Sequence, residues 1–138
     1  MSRVANVATD ATARVRAPRP SADGRIVYPG ASPLRLCHAA MSEFPPPVHR
    51  VRVRYCETDR MAVAHHGSYV AWFEEARTEW MRERGKTYRQ IEDEGNLLQV
   101  VEFVCRYHKT VDYDDVVAIR TRIAEAGKVA VVLEYEAR

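Results

Sequence analysis

The sequence predicts an α+β domain in which one long helix packs against a sheet of antiparallel strands. Three observations lead to this prediction: an alternating segment precedes a long helical segment, three more alternating segments follow it, and turn residues separate those three. A chain of 138 residues is most simply one domain with a sizeable core. Its 46% hydrophobic and 29% charged residues are an ordinary balance for a water-soluble protein.

The first strand and both helices come early in the part of the chain that is expected to fold. Residues 48–55 alternate apolar residues with arginines, as in a strand that is buried on one face. The long helix is expected over 68–84, because Ser68 can cap its first turn and Gly85 can end it. Its first turns are apolar nearly all round, which is typical of a helix enclosed by other elements. A shorter helix is predicted over 88–94.

Three more strands are predicted, over 97–110, 116–126 and 129–138. In each of them apolar residues alternate with polar or charged ones, and turn residues at 112–115 and 126–128 lie between them. The last of these strands is expected to lie unprotected at a sheet edge, which is a liability for a folded protein. This pattern favours a chain that is cut short at its C-terminal end.

Residues 1–47 have a different composition from the rest of the chain. They contain all seven prolines, several arginines with few acidic residues, and no lasting apolar periodicity. Such a segment buries too little surface to offset its ordering entropy, so we predict disorder there and a folded domain over 48–138. Two alternatives stay open: a mitochondrial transit peptide, which the prolines disfavour, and an artefact of start-site choice with translation beginning at Met41.

Charge and cysteine usage exclude several classes of protein. A net charge of +2 without a basic, aromatic-rich run gives no indication of nucleic-acid binding. The widely spaced Cys37, Cys56 and Cys105 form no CxxC pair, which favours a reducing, cytoplasmic setting over a disulfide framework. No apolar stretch approaches the roughly 20 residues that span a bilayer.

The segment 55–69 contains the residues with the clearest chemistry. It ends a strand, places Asp59, His65 and His66 in a loop, and then begins the long helix. The first N–H groups of a helix lack intrahelical partners, and the helix dipole favours negative charge there. A carboxylate at that place is suited to acyl chemistry on an activated carbonyl, where an oxyanion must be stabilised.

Residues in this loop and helix also carry a family resemblance. They are Tyr55, Thr58, Asp59, Met61, Val63, His65, His66 and Tyr69, followed by Trp72, Phe73, Glu74, Ala76 and Arg77. This pattern resembles the hotdog-fold acyl-CoA thioesterases, in the 4-hydroxybenzoyl-CoA thioesterase-like group that includes the Tol–Pal-associated acyl-CoA thioesterases. The resemblance implies an antiparallel sheet wrapped around a central helix, and a homodimer or homotetramer with acyl pockets at subunit contacts.

The resemblance also implies two differences from the family. The family has a further strand after the position of Arg138, so a sheet lacking its C-terminal strand is expected. It also has Gly where this chain has Ala62, and Ala62 is expected to perturb the loop, because Gly serves positions with positive φ. No bound cofactor or metal is implied, and coenzyme A enters as part of the substrate.

The resemblance assigns roles to five residues. Asp59 is the catalytic carboxylate, as nucleophile or as general base, and His66 orients substrate or assists proton transfer. The backbone at Gly67, Ser68 and Tyr69 is expected to bind the developing oxyanion and the substrate. The sequence leaves the acyl group open among hydroxybenzoyl, short-chain and medium-chain substrates.

From the residue types alone, other interpretations stay open. Asp59 can instead bond its own backbone in a turn, either histidine can cap the loop, and the aromatic ring of Tyr69 can belong to the core. A zinc site is disfavoured because the spacing fits no standard ligand set. Glu74 and Glu75 are alternative carboxylates, since another hotdog branch uses a glutamate on this helix. The arginines and lysine suited to phosphate binding are Arg106, Lys109, Arg120 and Arg122.

Two rival functions follow from these open points. One is a non-catalytic hotdog module that binds acyl groups or a partner protein. The other is a truncated fragment without stable function. Our prediction is a cytoplasmic acyl-CoA thioesterase that releases a carboxylic acid and free coenzyme A.

Overall fold

Five strands and two helices make up the computed structural model, which describes residues 9–16, 48–127 and 130–138. In chain order they are β1 Thr9–Arg16, β2 Val48–Arg52, α1 Ser68–Glu83, α2 Tyr88–Asp93, β3 Gln99–Tyr107, β4 Val116–Ala126 and β5 Ala130–Ala137. A single 3₁₀ turn, Tyr55–Glu57, follows β2. Every element predicted after residue 47 is present, and the observed bounds lie within the predicted ones.

The five strands form one antiparallel sheet in the order β2-β4-β5-β1-β3. Alternation along β4 and β5 buries one face of the sheet, where α1 packs, and leaves the other face half-buried to exposed. The α+β architecture with one long helix against an antiparallel sheet is therefore confirmed.

The N-terminal strand corrects the disorder that was predicted for residues 1–47. Thr9–Arg16 pairs with β3 on one side and β5 on the other, so it lies inside the sheet. Ala11, Ala13 and Val15 are buried there, whereas Asp10 and Arg14 are exposed. Buried and exposed residues do alternate along β1, but most of the buried ones are alanines, which are too small and too common to indicate a buried face in the sequence. The rest of that segment, including Cys37 and Met41, lies outside the described residues.

The same strand corrects the expectation that the last predicted strand lies unprotected at a sheet edge. The sheet has five strands, because the N-terminal segment supplies the one between β5 and β3. In its register Thr9 lies opposite Ala137, at the end of β5. The last predicted strand is consequently not an edge, since β5 is paired on both sides.

The core lies between α1 and the sheet. Its largest fully buried side chains include Trp72 and Phe73 from α1 and Ile119 from β4. A second cluster joins α1 to α2 through Trp80, Met81 and Ile91. The first turns of α1 were expected to be enclosed on all sides. In the single chain this is wrong, because Val70 is 47% exposed.

Candidate functional site

The loop between the 3₁₀ turn and α1 is held by its own backbone and by the β3–β4 connection. The Asp59 N–H donates to the Val63 carbonyl at 2.9 Å, and the Ala62 N–H donates to the Asp59 carbonyl at 3.0 Å. The Ala64 N–H donates to the carbonyl of Val111 at 2.7 Å, which fixes the loop to the chain before β4. These bonds define one position for the backbone that carries Asp59.

Asp59 is half-buried, and one of its carboxylate oxygens is engaged. Oδ1 accepts the Met61 N–H at 2.7 Å, a bond from a side chain to the backbone two residues on. Among the described residues, the second oxygen has no hydrogen-bond donor. The turn interpretation of Asp59 thus holds for one oxygen, and a catalytic role for the other stays a prediction.

Ala62 adopts the left-handed conformation that its position requires, with a φ of 60°. An alanine there is less stable than glycine by roughly 1 kcal/mol, because its Cβ crowds the backbone. The expected perturbation therefore takes the form of local strain, and the bond from the Ala62 N–H to Asp59 is made.

The two histidines are exposed, with ring centroids 4.0 Å apart, and they differ in their contacts. Nδ1 of His65 accepts the Gly67 N–H at 3.1 Å, which is the capping contact considered for this residue. In the described part of the chain, the His66 imidazole makes no hydrogen bond. Its backbone carbonyl accepts the Tyr107 hydroxyl at 3.0 Å, so β3 supports the loop at this point.

The amides at the start of α1 are less available than predicted. The Gly67 N–H is taken by His65 Nδ1, and the Ser68 N–H donates to the His65 carbonyl at 2.9 Å. The Tyr69 N–H has no acceptor within the described ranges. Of the three predicted oxyanion donors, Tyr69 is therefore the one with an unused N–H in this structure.

Ser68 does not cap the helix as predicted. The N-cap is Gly67, and no side chain caps it. The Ser68 hydroxyl instead donates to the carbonyl of Glu57 at 3.0 Å, because that carbonyl lies beside the first turn. Ser68 thus joins the helix to the 3₁₀ turn.

Two tyrosines pack behind the loop. Tyr69 is buried in the core and meets Tyr107 edge to face, with ring centroids 5.1 Å apart. Burial, with a smaller contribution from the Cys105 thiol, raises the pKa of Tyr69 to about 12. Burial likewise raises the pKa of Tyr107 to about 12. Both phenols are neutral at pH 7, so Tyr107 serves the His66 carbonyl as a donor.

Glu57 is a residue of this site that sequence reasoning missed. It is 7% exposed, and its carboxylate accepts bonds from Arg54 and from the Trp72 indole. Burial by itself would raise the pKa of Glu57, but the hydrogen bonds from Arg54 and Trp72 lower it below the ordinary value. No periodicity distinguishes Glu57 from other acidic residues in the sequence. Its partner Trp72 lies 15 residues further along the chain, and the two meet only when the loop folds onto α1.

The alternative carboxylates and the candidate phosphate-binding arginines have other partners. Glu74 forms an ion pair with Arg77, and Glu75 lies 3.5 Å from His49. Arg120 and Arg122 lie on the exposed face of β4, opposite the helix, and pair with glutamates of β5. With Arg106 they line a groove of about 540 Å³ on that face. These contacts favour structural roles for Glu74, Glu75, Arg120 and Arg122.

Within 9–16, 48–127 and 130–138, no group of three or more His, Cys, Asp or Glu side chains is placed to hold a metal ion. None of the helices in that part of the chain is long and apolar enough to cross a membrane.

Comparisons with known proteins show the family to which this chain belongs. A family model described as the thioesterase superfamily matches residues 61–138. An Aquifex aeolicus protein named provisionally as an esterase is 33% identical over 90 residues, covering 65% of this chain and 70% of that protein. The Escherichia coli acyl-CoA thioester hydrolase YbgC is 36% identical over 73 residues. That match spans 53% of this chain and about half of YbgC, 54% of its length.

A solved structure gives the same fold. The crystal structure of a hypothetical protein from Aquifex aeolicus superposes with a TM-score of 0.57 at 28% identity, covering 66% of this chain and 87% of that one. This likeness, together with the family match, confirms the hotdog fold.

Proposed function

We propose that this chain, which belongs to the thioesterase superfamily, hydrolyses acyl-CoA thioesters to a carboxylic acid and free coenzyme A. The observation that carries the proposal is the Asp59 carboxylate in the loop that leads into α1: one oxygen is fixed by the Met61 N–H, and the other has no donor among the described residues. The names of relatives such as YbgC support coenzyme A as the carrier of the acyl group.

Two routes use the same residues. In the general-base route, Asp59 accepts a proton from water as the water oxygen bonds to the thioester carbon. The C–S bond then breaks, coenzyme A leaves as a thiolate, and the thiolate takes the proton from Asp59. In the nucleophilic route, an Asp59 oxygen bonds to the carbon and the thiolate leaves. Water then hydrolyses the resulting anhydride, which releases the carboxylic acid and restores the Asp59 carboxylate, and the proton set free in this step neutralises the thiolate.

Charge develops on the thioester oxygen in both routes. The Tyr69 N–H is proposed to donate a hydrogen bond to that oxygen and stabilise its charge, because the Gly67 and Ser68 amides are already bonded to His65. His66 is proposed to orient the substrate or assist proton transfer. Its imidazole is exposed, while its backbone is fixed by Tyr107.

A homodimer or homotetramer is proposed as the working form. Among the described strands β3 lies at the edge of the sheet and pairs with β1 alone, and it exposes a group of large apolar residues: Val100, Val101, Val104 and Tyr107. An exposed apolar edge strand is a surface that a second chain can cover. We further propose a cytoplasmic location, where Cys56 and Cys105 stay reduced, and no bound cofactor.

The test is thiol release from a panel of hydroxybenzoyl-, short-chain and medium-chain acyl-CoA substrates. Turnover of at least one substrate, with acid and coenzyme A formed in equal amounts, is the expected result. A folded, oligomeric protein that binds these thioesters without releasing thiol would contradict the proposal and indicate a binding module. Oxygen esters of the same acids serve as a control for non-specific esterase activity.

A further inference from the structure

Glu57 is the buried carboxylate at the base of the Asp59 loop. Among the described residues it is the one buried acidic side chain, with 7% of its surface exposed. A buried charge is costly unless it is paired and hydrogen-bonded, so its contacts are expected to be specific. They are also all directed at the elements that form the site.

The Glu57 side chain joins the end of β2 to the inside of α1. Oε2 accepts the backbone N–H of Arg54 at 2.8 Å, and Oε1 accepts the Arg54 guanidinium at 2.6 Å. Oε1 also accepts the indole N–H of Trp72 at 2.9 Å. Hydrogen bonds to a charged acceptor are about twice as strong as neutral ones, and burial limits their screening.

The Glu57 backbone joins the same point to the far end of the loop. Its carbonyl accepts the His65 N–H at 2.7 Å and the Ser68 hydroxyl at 3.0 Å. The loop that carries Asp59 therefore starts and ends at one residue, and that residue is bonded to the helix that presents the Tyr69 N–H. Glu57 thereby connects the two groups that the proposed mechanism uses, the Asp59 carboxylate and the Tyr69 N–H.

We propose that Glu57 is a positioning residue that holds the Asp59 carboxylate in register with the start of α1. The inference rests on the proposed function. Glu57 is buried and acts through Asp59. A displacement of about 1 Å at a reacting group can lower a rate by about 100-fold, so an anchor at this place affects kcat more than substrate affinity.

The informative substitution is Glu57→Gln, which keeps the size of the side chain and removes its charge. The amide NH₂ must then face a donor from Arg54 or Trp72, so at least one bond is lost. We expect kcat to fall about 10- to 100-fold, with KM changed by less than about twofold. Trp72→Phe removes one donor while keeping a ring, and is expected to lower kcat in the same direction.

A double-substitution cycle separates positioning from a general structural role. In the Asp59→Asn background, Glu57→Gln is expected to change the residual rate by less than about twofold, because residues acting as a unit are not additive. The same loss factor in both backgrounds, or an unchanged kcat in Glu57→Gln, would overturn the inference. Glu83→Gln, at the exposed C-terminal end of α1, is the matched control and should leave kcat unchanged.

A readout that needs no activity keeps the two proposals distinguishable. Amide hydrogen exchange of Asp59 and Ala62 should accelerate at least tenfold in Glu57→Gln while exchange in β4 is unchanged. Uniform acceleration, or none, would count against positioning even if the protein proved to be a binding module. The proposed function is decided separately, by turnover of the unsubstituted chain.

Discussion

The Asp59 loop can be recognised from its local residue types, whereas the N-terminal strand β1 can be recognised only from its long-range pairing. The loop is recognisable from its residue types, because an aspartate, two histidines and a glycine before an apolar helix are an uncommon combination. β1 has no such signature, and its position is set by pairing with β3 and β5, which lie far along the chain. A candidate site can therefore be predicted from one local segment, whereas the place of β1 in the sheet depends on strands far along the chain.

The pairing of β1 suggests how to test that difference. β5 and β1 run antiparallel with Thr9 opposite Ala137, as the two arms of a hairpin do. The covalent connection from β1 instead runs to β2, at the other edge of the sheet, through residues 17–47. We expect the stability of the sheet to depend on the presence of β1 more than on the order in which the chain connects it to the other strands.

The largest effect is expected from removing β1 and then restoring it elsewhere. A chain lacking residues 1–16 should lose cooperative urea unfolding, because two strand pairings and four buried side chains are lost together. A chain in which residues 9–16 follow Arg138 through a short turn should recover the cooperative transition. Cooperative unfolding of the shortened chain by itself would show that β1 is dispensable.

A single charge in β1 should destabilise the sheet by a smaller amount. Ala13 is buried between Phe103 and Leu133 in the register of its two neighbours. Ala13→Asp should lower the free energy of unfolding by about 3 kcal/mol or more, since a charge is buried without a partner. Arg14→Ala, on the exposed face of the same strand, should cost less than about 1 kcal/mol. Equal effects of the two would contradict the assigned faces.

The loop should respond to pH through Glu57. Because its folded pKa is lowered, its contribution to stability is present above its ordinary pKa of 4.5 and is lost as pH falls through the folded value. The difference in unfolding free energy between the unsubstituted protein and Glu57→Gln, about 1–3 kcal/mol at pH 7, should therefore shrink below pH 4.5. A difference that stays constant to pH 3 would argue against the paired carboxylate.

The smallest effect is expected at Ala62. Ala62→Gly relieves a φ of 60° and should raise the free energy of unfolding by about 0.5–1 kcal/mol, after the entropy cost of glycine in the unfolded chain. Ala71→Gly, in the exposed part of α1, should lower it by about 1 kcal/mol. A loss of stability in Ala62→Gly would mean that the left-handed conformation carries no strain.

The sequence predicted the strands and helices after residue 47 because their alternation and end signals are strong. It could not predict β1, since alanines at every second position look like composition rather than a buried face. It also predicted three helix amides as oxyanion donors, but the His65 ring accepts the Gly67 N–H and the His65 carbonyl accepts the Ser68 N–H. Neither contact can be read from residue types. Glu57 was missed for a similar reason: its partner Trp72 comes within reach only when the loop folds onto α1.

The central claim is that the Asp59 carboxylate performs thioester hydrolysis. Its most direct test is the kcat for thiol release by Asp59→Asn, with Asp93→Asn at the end of α2 as a matched control. The account predicts a fall of at least about 100-fold for Asp59→Asn, with unfolding still cooperative, and no change for Asp93→Asn. An Asp59→Asn protein that turns over acyl-CoA at the unsubstituted rate would contradict it.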